Sequence, residues 1–400
     1  MPGFELFGEE EKKEIMDVLD TGVLFRYEFG AQRKGIYKVL DFEKKFASYC
    51  GTSYAQAVTS GTVALKVALA ALGVGPGDEV ITQGFTFVAT WEAILDLGAI
   101  PVFTEVDETL NMDPVDLAQK ITARTRCIIP VHMLGAQARI LEIVAIANKH
   151  NIPVLEDTAQ AAGARINGQH LGTFGTCGTF SFDPVKTMTT GEGGMIITAD
   201  EQLWRTMSEY HDHGHDHVVN PGARGGEGRR FIGFNYRMME LQGAIGIAQL
   251  QKLDAMIESQ KKTKSILKEA ASAIAGVQFR ALVDEAGDSA TFCCFMLESK
   301  DHCLRVNKVL AENNAGAINF GENTWHFYPR WEHLLAGSTV AKNGWPFLEP
   351  GGKRRLMYDP ELLPASAELI NRTLVYPIPV KISQERLAEM TAALGQAAKA

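Results

Sequence analysis

No two of the chain's six cysteines stand in a Cys-x-x-Cys spacing. Cys50, Cys127, Cys177, Cys293, Cys294 and Cys303 are scattered over 400 residues. This spread excludes a disulfide framework and points to a reducing compartment. No apolar run approaches the roughly 20 residues that span a bilayer. The opening MPGFELFGEEEKKE is acidic, where a secretory signal begins basic and then turns apolar. Excess positive charge is missing too. The 39 basic residues face 48 acidic ones, for a formal charge of −9, which gives no electrostatic ground for a nucleic-acid or membrane partner. The basic clusters, Lys261-Lys262 and Lys353-Arg354-Arg355, are short. Internal repeats and low-complexity segments are absent. The expectation is a cytoplasmic globular protein. Its length suffices for a large core and for two domains, and its apolar content of 46% is ordinary.

Periodicity supplies the architecture. Helices are expected at 9–20, with Ile15, Met16 and Leu19 on one face, and around Val39, Phe42, Phe46 and Tyr49. From 54 to 198, short apolar strands (79–83, 101–106, 127–132, 153–156, the Phe180 run, 195–198) alternate with helices (63–72, 88–97, 114–120, 138–150). That alternation predicts an α/β fold with a mostly parallel sheet covered on both faces. In such sheets ligands bind beyond the carboxyl ends of the strands. A long helix follows at 238–275. Strands at 277–282, 291–298 and 316–320 and a helix at 301–312 suggest a smaller α/β unit. Residues 321–380 read as irregular, and Ser383 caps a last helix. The division expected is a large domain over 1–255 and a smaller one over 256–400.

The chemistry-bearing residues stand just after strands. Lys186 follows Thr179-Phe180-Ser181-Phe182 and Asp183-Pro184. A lysine so placed can be desolvated into a nucleophilic amine, the requirement for a Schiff base, although alone it also reads as a surface lysine. Ser60-Gly61-Thr62 precedes a helix, whose N-terminus can bind phosphate or can simply be capped by Ser60. Phe87 could stack on a planar ring or be core. Asp157 ends a very apolar strand and could keep a pyridinium nitrogen protonated. Gln160 could hydrogen-bond a ring substituent, and Ser181 a phosphate. All fall at one edge of the sheet. Together they describe the binding of pyridoxal 5′-phosphate.

With these residues in place, the sequence resembles the sugar aminotransferases of the DegT/DnrJ/EryC/StrS group. The resemblance is densest in VTSGTVAL, PGDEVITQGFTFVAT, VLEDTAQAAGA, GTFSFDPVKTMTTGEGG and GFNYRMMELQGAIGIAQLQKLD. It implies the type I fold of pyridoxal-phosphate enzymes, resembling aspartate aminotransferase. Lys186 is then the Schiff-base lysine and Asp157 the partner of the ring nitrogen. Gln160 lies near the ring hydroxyl, Phe87 stacks, and Ser60, Gly61, Thr62 and Ser181 hold the phosphate. Asn235, in GFNYRM, matches an asparagine that completes the phosphate site of a neighbouring subunit, so the resemblance implies a homodimer, with the helix from Met238 as part of its interface or as core. Family members that dehydrate rather than transaminate carry histidine in place of the lysine; Lys186 favours transamination from L-glutamate, giving 2-oxoglutarate. His326-Phe327-Tyr328-Pro329 departs from the commoner His-Tyr-Pro, in a region that lies toward the substrate.

A finer resemblance, in MPGFELFGEEEK, TGVLFRYEF and DETLNMDP, is to the aminotransferases that make 8-amino-3,8-dideoxy-manno-octulosonate for lipopolysaccharide. It implies a nucleotide-free 8-oxo acid as substrate, with Arg26, Arg33, Arg224 or Arg330 for its carboxylate and His326 near it. A nucleotide-linked keto-sugar is the alternative; a sugar dehydratase and a non-enzymatic regulator on the same scaffold are the other readings. The run His211–His217 invites a metal, but His213-Gly214 matches a metal-free family loop, and no metal is expected. Gly172–Gly178 lacks the strand-then-helix context of a dinucleotide loop.

Overall fold

The computed structural model describes residues 3–217, 228–349, 352–353 and 355–399; Arg224 and Arg354 lie outside the described residues. The strands in chain order are β1 Tyr54–Val58, β2 Glu79–Gln83, β3 Ile100–Thr104, β4 Thr125–Ile129, β5 Leu155–Asp157, the short pair β6 Arg165–Ile166 and β7 Gln169–His170, β8 Cys177–Ser181, β9 Gly194–Thr198, β10 Gln278–Phe279, β11 Phe292–Met296, β12 Ile318–Asn319 and β13 Thr373–Pro377. Parallel strands β3-β2-β4 continue into β5-β8-β9-β1 through parallel bridges between Ile128 and Val154 and between Val131 and Asp157. Within this sheet β9 runs against β8 and β1, while β5 and β8 are parallel. The sheet is thus the mostly parallel one expected from the alternating pattern.

Strand alternation sorts the apolar side chains to the two faces. Met195 and Ile197 of β9 pack with Phe42, Phe46, Phe180 and Phe182. Ile196 points the other way, into a cluster with Leu65, Leu69, Val80 and Ile94. Burial on both faces is why these strands read as continuous apolar runs.

The helix Glu240–Ala271 ties the molecule together. Ile247, Leu250, Leu253 and Ile257 join the core beneath the large sheet, whereas Leu267 and Ala271 join that of the smaller sheet, with Phe295, Leu374 and Leu394. The boundary expected at 255/256 therefore falls inside a helix shared by both cores. Most of its apolar stripe is packed into these two cores.

The smaller sheet is antiparallel, in the order β10-β11-β13-β12. Two expectations need correction. Residues 321–380 are not wholly irregular: they contain a helix over Pro364–Asn371 and the strand β13, which pairs with a neighbour on each side. The prolines of Tyr376-Pro377-Ile378-Pro379 hid this strand, because Pro377 sits at its last position, where the missing N–H costs least. The face expected on the first helix, Glu9–Leu19, is also wrong. Met16 and Leu19 are exposed, and the buried residues are Glu11 and Val18. Glu11 is drawn in because its carboxylate takes hydrogen bonds from Lys252 at 2.7 and 2.8 Å and from Gln249 at 2.8 Å. Ser383 caps the last helix, Gln384–Ala397, as expected, its hydroxyl accepting the Arg386 N–H at 3.0 Å.

Candidate active site

The site forms where β5 and β8 end and the helix Gly61–Ala71 begins. Leu155-Glu156-Asp157 closes β5, and the period of two sends its adjacent carboxylates to opposite faces. Glu156 turns inward. One of its oxygens accepts the N–H groups of Phe174 and Gly175, both at 2.7 Å, and the other accepts Gly172 N–H at 2.8 Å and faces His132 Nε2 at 3.0 Å. Since His132 Nδ1 accepts the Ala138 N–H at 3.1 Å, Nε2 carries the proton and donates to Glu156. The Gly172–Gly178 stretch is therefore a nest for a structural carboxylate.

Asp157 turns to the cavity. It is 4% exposed. Its carboxylate accepts the Thr90 hydroxyl at 2.9 Å and the Ala159 N–H at 3.2 Å. Burial pushes its carboxyl above the ordinary range, and these two bonds together with the charge of Lys186 only partly oppose that. A cation against this carboxylate would be strongly favoured, as a pyridinium would be. Behind it, the Thr86 and Thr90 hydroxyls lie 2.8 Å apart, extending the chain of hydrogen bonds.

Lys186 is placed by an Asx turn. Asp183 takes the Val185 N–H on its side chain at 2.9 Å and the Lys186 N–H on its backbone carbonyl at 3.1 Å. The side chain is 14% exposed, and its Nζ lies 3.4 Å from Asp183 Oδ2. The Thr- and Gly-rich loop that follows is tied to itself: Thr189 donates to Phe182 O at 2.9 Å and Thr190 to Glu192 O at 2.7 Å. At the lysine's own carbonyl sits the chain's N-terminal segment, Gly3 N–H donating to Lys186 O at 2.9 Å.

Across the cavity Ser60 caps the helix, its Oγ accepting Val63 N–H at 3.2 Å. It retains its own O–H for a ligand, so the capping and phosphate readings are compatible. A Cβ on Gly61 would lie 2.7 Å from Ser181 Cβ, so only glycine lets the helix N-terminus meet Ser181. Two hydroxyls and the free N–H groups of a helix N-terminus thus converge, which is anion-binding chemistry.

Ser60, Gly61, Thr62, Phe87, Asp157, Gln160, Ser181 and Lys186, all named from the sequence, line one cavity of ≈ 400 Å³. Gln160 is oriented by Leu134 N–H, which donates to its Oε1 at 2.9 Å and leaves the amide nitrogen for a ring oxygen. An amine, a buried carboxylate, an aromatic face and an anion cradle in one cavity fit pyridoxal phosphate. Thr86, Thr90 and Glu192 also line it and were not singled out from the sequence; a threonine just before or in the first turn of the helix Ala89–Asp96 carries no chemical signature of its own.

Three other residues fall elsewhere. Arg26 is buried, its Nη2 held by both oxygens of Glu43 at 2.6 and 2.7 Å, which commits it to an internal ion pair. Asn235 lies exposed beside Asp212, outside this protomer's cavity. His326 lies beside the cavity: its ring is 5.3 Å from that of Phe87, and burial, then the nearby Lys186 charge, hold its pKa down at about 4. The His211–His217 run is built into the fold. Tyr27 stacks on His217 at 4.0 Å, His217 Nε2 meets Asp212 at 3.0 Å, and His211 Nε2 meets Tyr27 Oη at 3.1 Å. No group of three metal-ligating side chains occurs among the described residues.

The model of the DegT/DnrJ/EryC1/StrS aminotransferase family matches residues 7–343. A GDP-perosamine synthase of Caulobacter vibrioides is 42% identical over 229 residues, which is 56% of this chain and 59% of that protein. The chain thus spans about three fifths of that relative's length. A GDP-perosamine synthase of Vibrio cholerae is 32% identical over 339 residues, 81% of this chain and 85% of that protein. The crystal structure of an aminotransferase from Psychrobacter cryohalolentis superposes with a TM-score of 0.80 at 27% identity, over 98% of this chain and 96% of that one.

Proposed function

The chain belongs to the DegT/DnrJ/EryC1/StrS aminotransferase family, and from that premise we propose that it uses pyridoxal 5′-phosphate to move an amino group from L-glutamate to the carbonyl of a sugar. The observation that carries this reading is the meeting of Lys186, Asp157, Phe87 and the Ser60–Ser181 cradle in one cavity. When bound, the cofactor supplies an electron sink conjugated to the substrate amine. Ser60, Thr62 and Ser181 would anchor its phosphate, Phe87 would cover its ring, and Asp157 would keep its ring nitrogen protonated. The Lys186 amine would be the group to hold it covalently and to hold and move the proton at the amino-bearing carbon. Asp183, 3.4 Å from the ammonium, steadies Lys186 between these tasks.

The sugar we favour is nucleotide-linked, because the perosamine synthases named above carry a GDP-sugar in their names. The free 8-oxo octulosonate is the second reading. Its support is the opening segment MPGFELFGEEEK, whose Gly3 bonds to the carbonyl of Lys186 itself. Amino-sugar synthesis for lipopolysaccharide belongs to that second reading.

We also place the enzyme in the cytoplasm as a homodimer in which Asn235 completes the partner's phosphate site. No helix among the described residues is long and apolar enough to cross a membrane. Asn235 stands exposed amid the exposed apolar side chains Ile232, Phe234 and Met239, a surface suited to a second copy.

Purified protein should show the visible absorbance of lysine-bound pyridoxal phosphate. L-Glutamate should bleach it, and Lys186→Ala should lack it. A wild type that stays colourless after reconstitution would overturn the reading.

A further inference from the structure

Four arginines stood as candidates for an anionic group on the substrate, and the structure separates them. Arg26 is held by Glu43. Arg33 is 1% exposed, paired with Glu240 at 3.1 Å. Arg224 lies outside the described residues. Arg330 lines an open cavity of ≈ 490 Å³ together with Val88, Glu92, Trp325, Glu332 and His333.

This cavity shares a wall with the active site. Phe87 lines the first cavity and Val88 the second, while Val88 N–H donates to Trp325 O and Thr86 N–H to His326 O, each at 3.0 Å. The Trp325 indole is 59% exposed and nearly parallel to the Phe87 ring, 10° between planes and 6.0 Å between centroids. An aromatic shelf therefore runs outward from the ring that covers the cofactor position. Beside it, Arg330 is anchored at its stem, Nε donating to Gly321 O at 2.9 Å. Its Nη2 lies 2.8 Å from Glu322, a pair with both members exposed. An exposed pair of this kind contributes little and exchanges readily for a better anion. Two carboxylates share the cavity, and one of them, Glu92, faces His333 at 3.7 Å. A flat apolar face, carboxylates that can accept hydroxyl hydrogens and a displaceable guanidinium together match an anionic sugar.

We infer that Trp325 and Arg330 form the subsite that receives the anionic part of the sugar substrate, outward from the carbonyl held at Lys186. Trp325 stacks on a sugar or base face, and Arg330 exchanges Glu322 for the anion. The inference rests on the aminotransferase reading and names the chemistry common to both candidate substrates: the phosphates of a nucleoside diphosphate, or the carboxylate of an octulosonate.

The test uses cofactor-loaded protein at fixed ionic strength. GDP and free 3-deoxy-manno-octulosonate are titrated separately, with binding read by calorimetry and by tryptophan fluorescence. One probe should bind the wild type and quench its fluorescence, and its identity reports the source of the anion. R330Q should weaken that binding about tenfold or more, R330K should recover part of it, and W325F should weaken it and remove most of the quench. The far-ultraviolet circular dichroism and the visible cofactor band should be unchanged in all three variants, which shows that each is folded and loaded. Unchanged affinity in R330Q and W325F, or failure of both probes to bind the wild type, overturns the subsite. Failure of wild-type bleaching by glutamate is a different result, and it removes the aminotransferase reading instead.

Discussion

Asp157 owes its readiness for a cation to what surrounds it. Of the two hydrogen bonds it accepts, the one from Thr90 comes from a side chain that can be altered without touching the backbone. A hydrogen bond to a buried charged group contributes about 1.5–3 kcal/mol. Thr90→Val keeps the shape and removes the donor. Its kcat should fall roughly ten- to a hundredfold with the cofactor still bound, whereas Thr90→Ser should recover most of the loss; single-turnover rates with glutamate check this. His326 gives the second expectation at this scale. Its folded pKa, about 4, lies below the roughly 6.5 of an unfolded histidine. Between these values the unfolded chain binds more protons, so stability falls as pH drops from about 6.5 toward 4 and levels off below. The urea midpoint of His326→Gln should therefore gain on that of wild type as the buffer is taken from pH 6.5 to 4, and the two should run parallel above pH 7. At this scale the sequence was informative wherever a residue type has a distinct chemistry. Lys186, Asp157 and Ser181 could be named as candidates because an amine, a carboxylate and a hydroxyl each suit one part of the proposed ligand, and all three line the cavity. Thr90 and Trp325 could not, because their roles depend on which strand or turn brings them against Asp157 or Phe87.

Among the elements, periodicity foretold most helices and strands of residues 54–198, since they are buried on fixed faces, but it did not single out β1 or the short pair β6 and β7. It failed where another force set the face or the pairing. The first helix buries Glu11 because Lys252 waits for it, and β13 pairs through Thr373–Pro377 although a proline ends it. The contact between the helices Lys38–Cys50 and Glu240–Ala271 could not be read from the pattern either, because it depends on how closely two backbones approach. A Cβ at Gly243 would lie 2.6 Å from the Val39 backbone nitrogen, whereas the atoms nearest to one at Gly246 belong to the Phe42 ring, at 2.6 Å. Backbone cannot step aside as a ring can. Gly243→Ala should cost about 1–3 kcal/mol and Gly246→Ala distinctly less, as read by chemical denaturation of the cofactor-loaded protein. Equal losses would show that both helices shift together.

For the whole molecule, the question is whether one chain holds a complete site. Lys186 and Asp157 face the same cavity, but Asn235 does not reach it within its own protomer, and the exposed Leu24 and Phe29 lie near in sequence to buried Tyr27, which stacks on His217 beside Asp212, the bridge partner of Asn235. If each site draws its lysine from one chain and its asparagine from the other, two separately inactive variants can repair each other. In a mixed dimer of Lys186→Ala and Asn235→Ala, one site lacks both groups. The other has the lysine of the Asn235 variant and the asparagine of the Lys186 variant, and is whole. Random exchange of equal amounts makes half the dimers mixed, so activity should return to roughly a quarter of the wild-type level on refolding the two variants together. Mixing without exchange should restore nothing. If Asn235 acted within its own chain, the same refolded mixture would carry no intact site and would stay at the sum of the two parents.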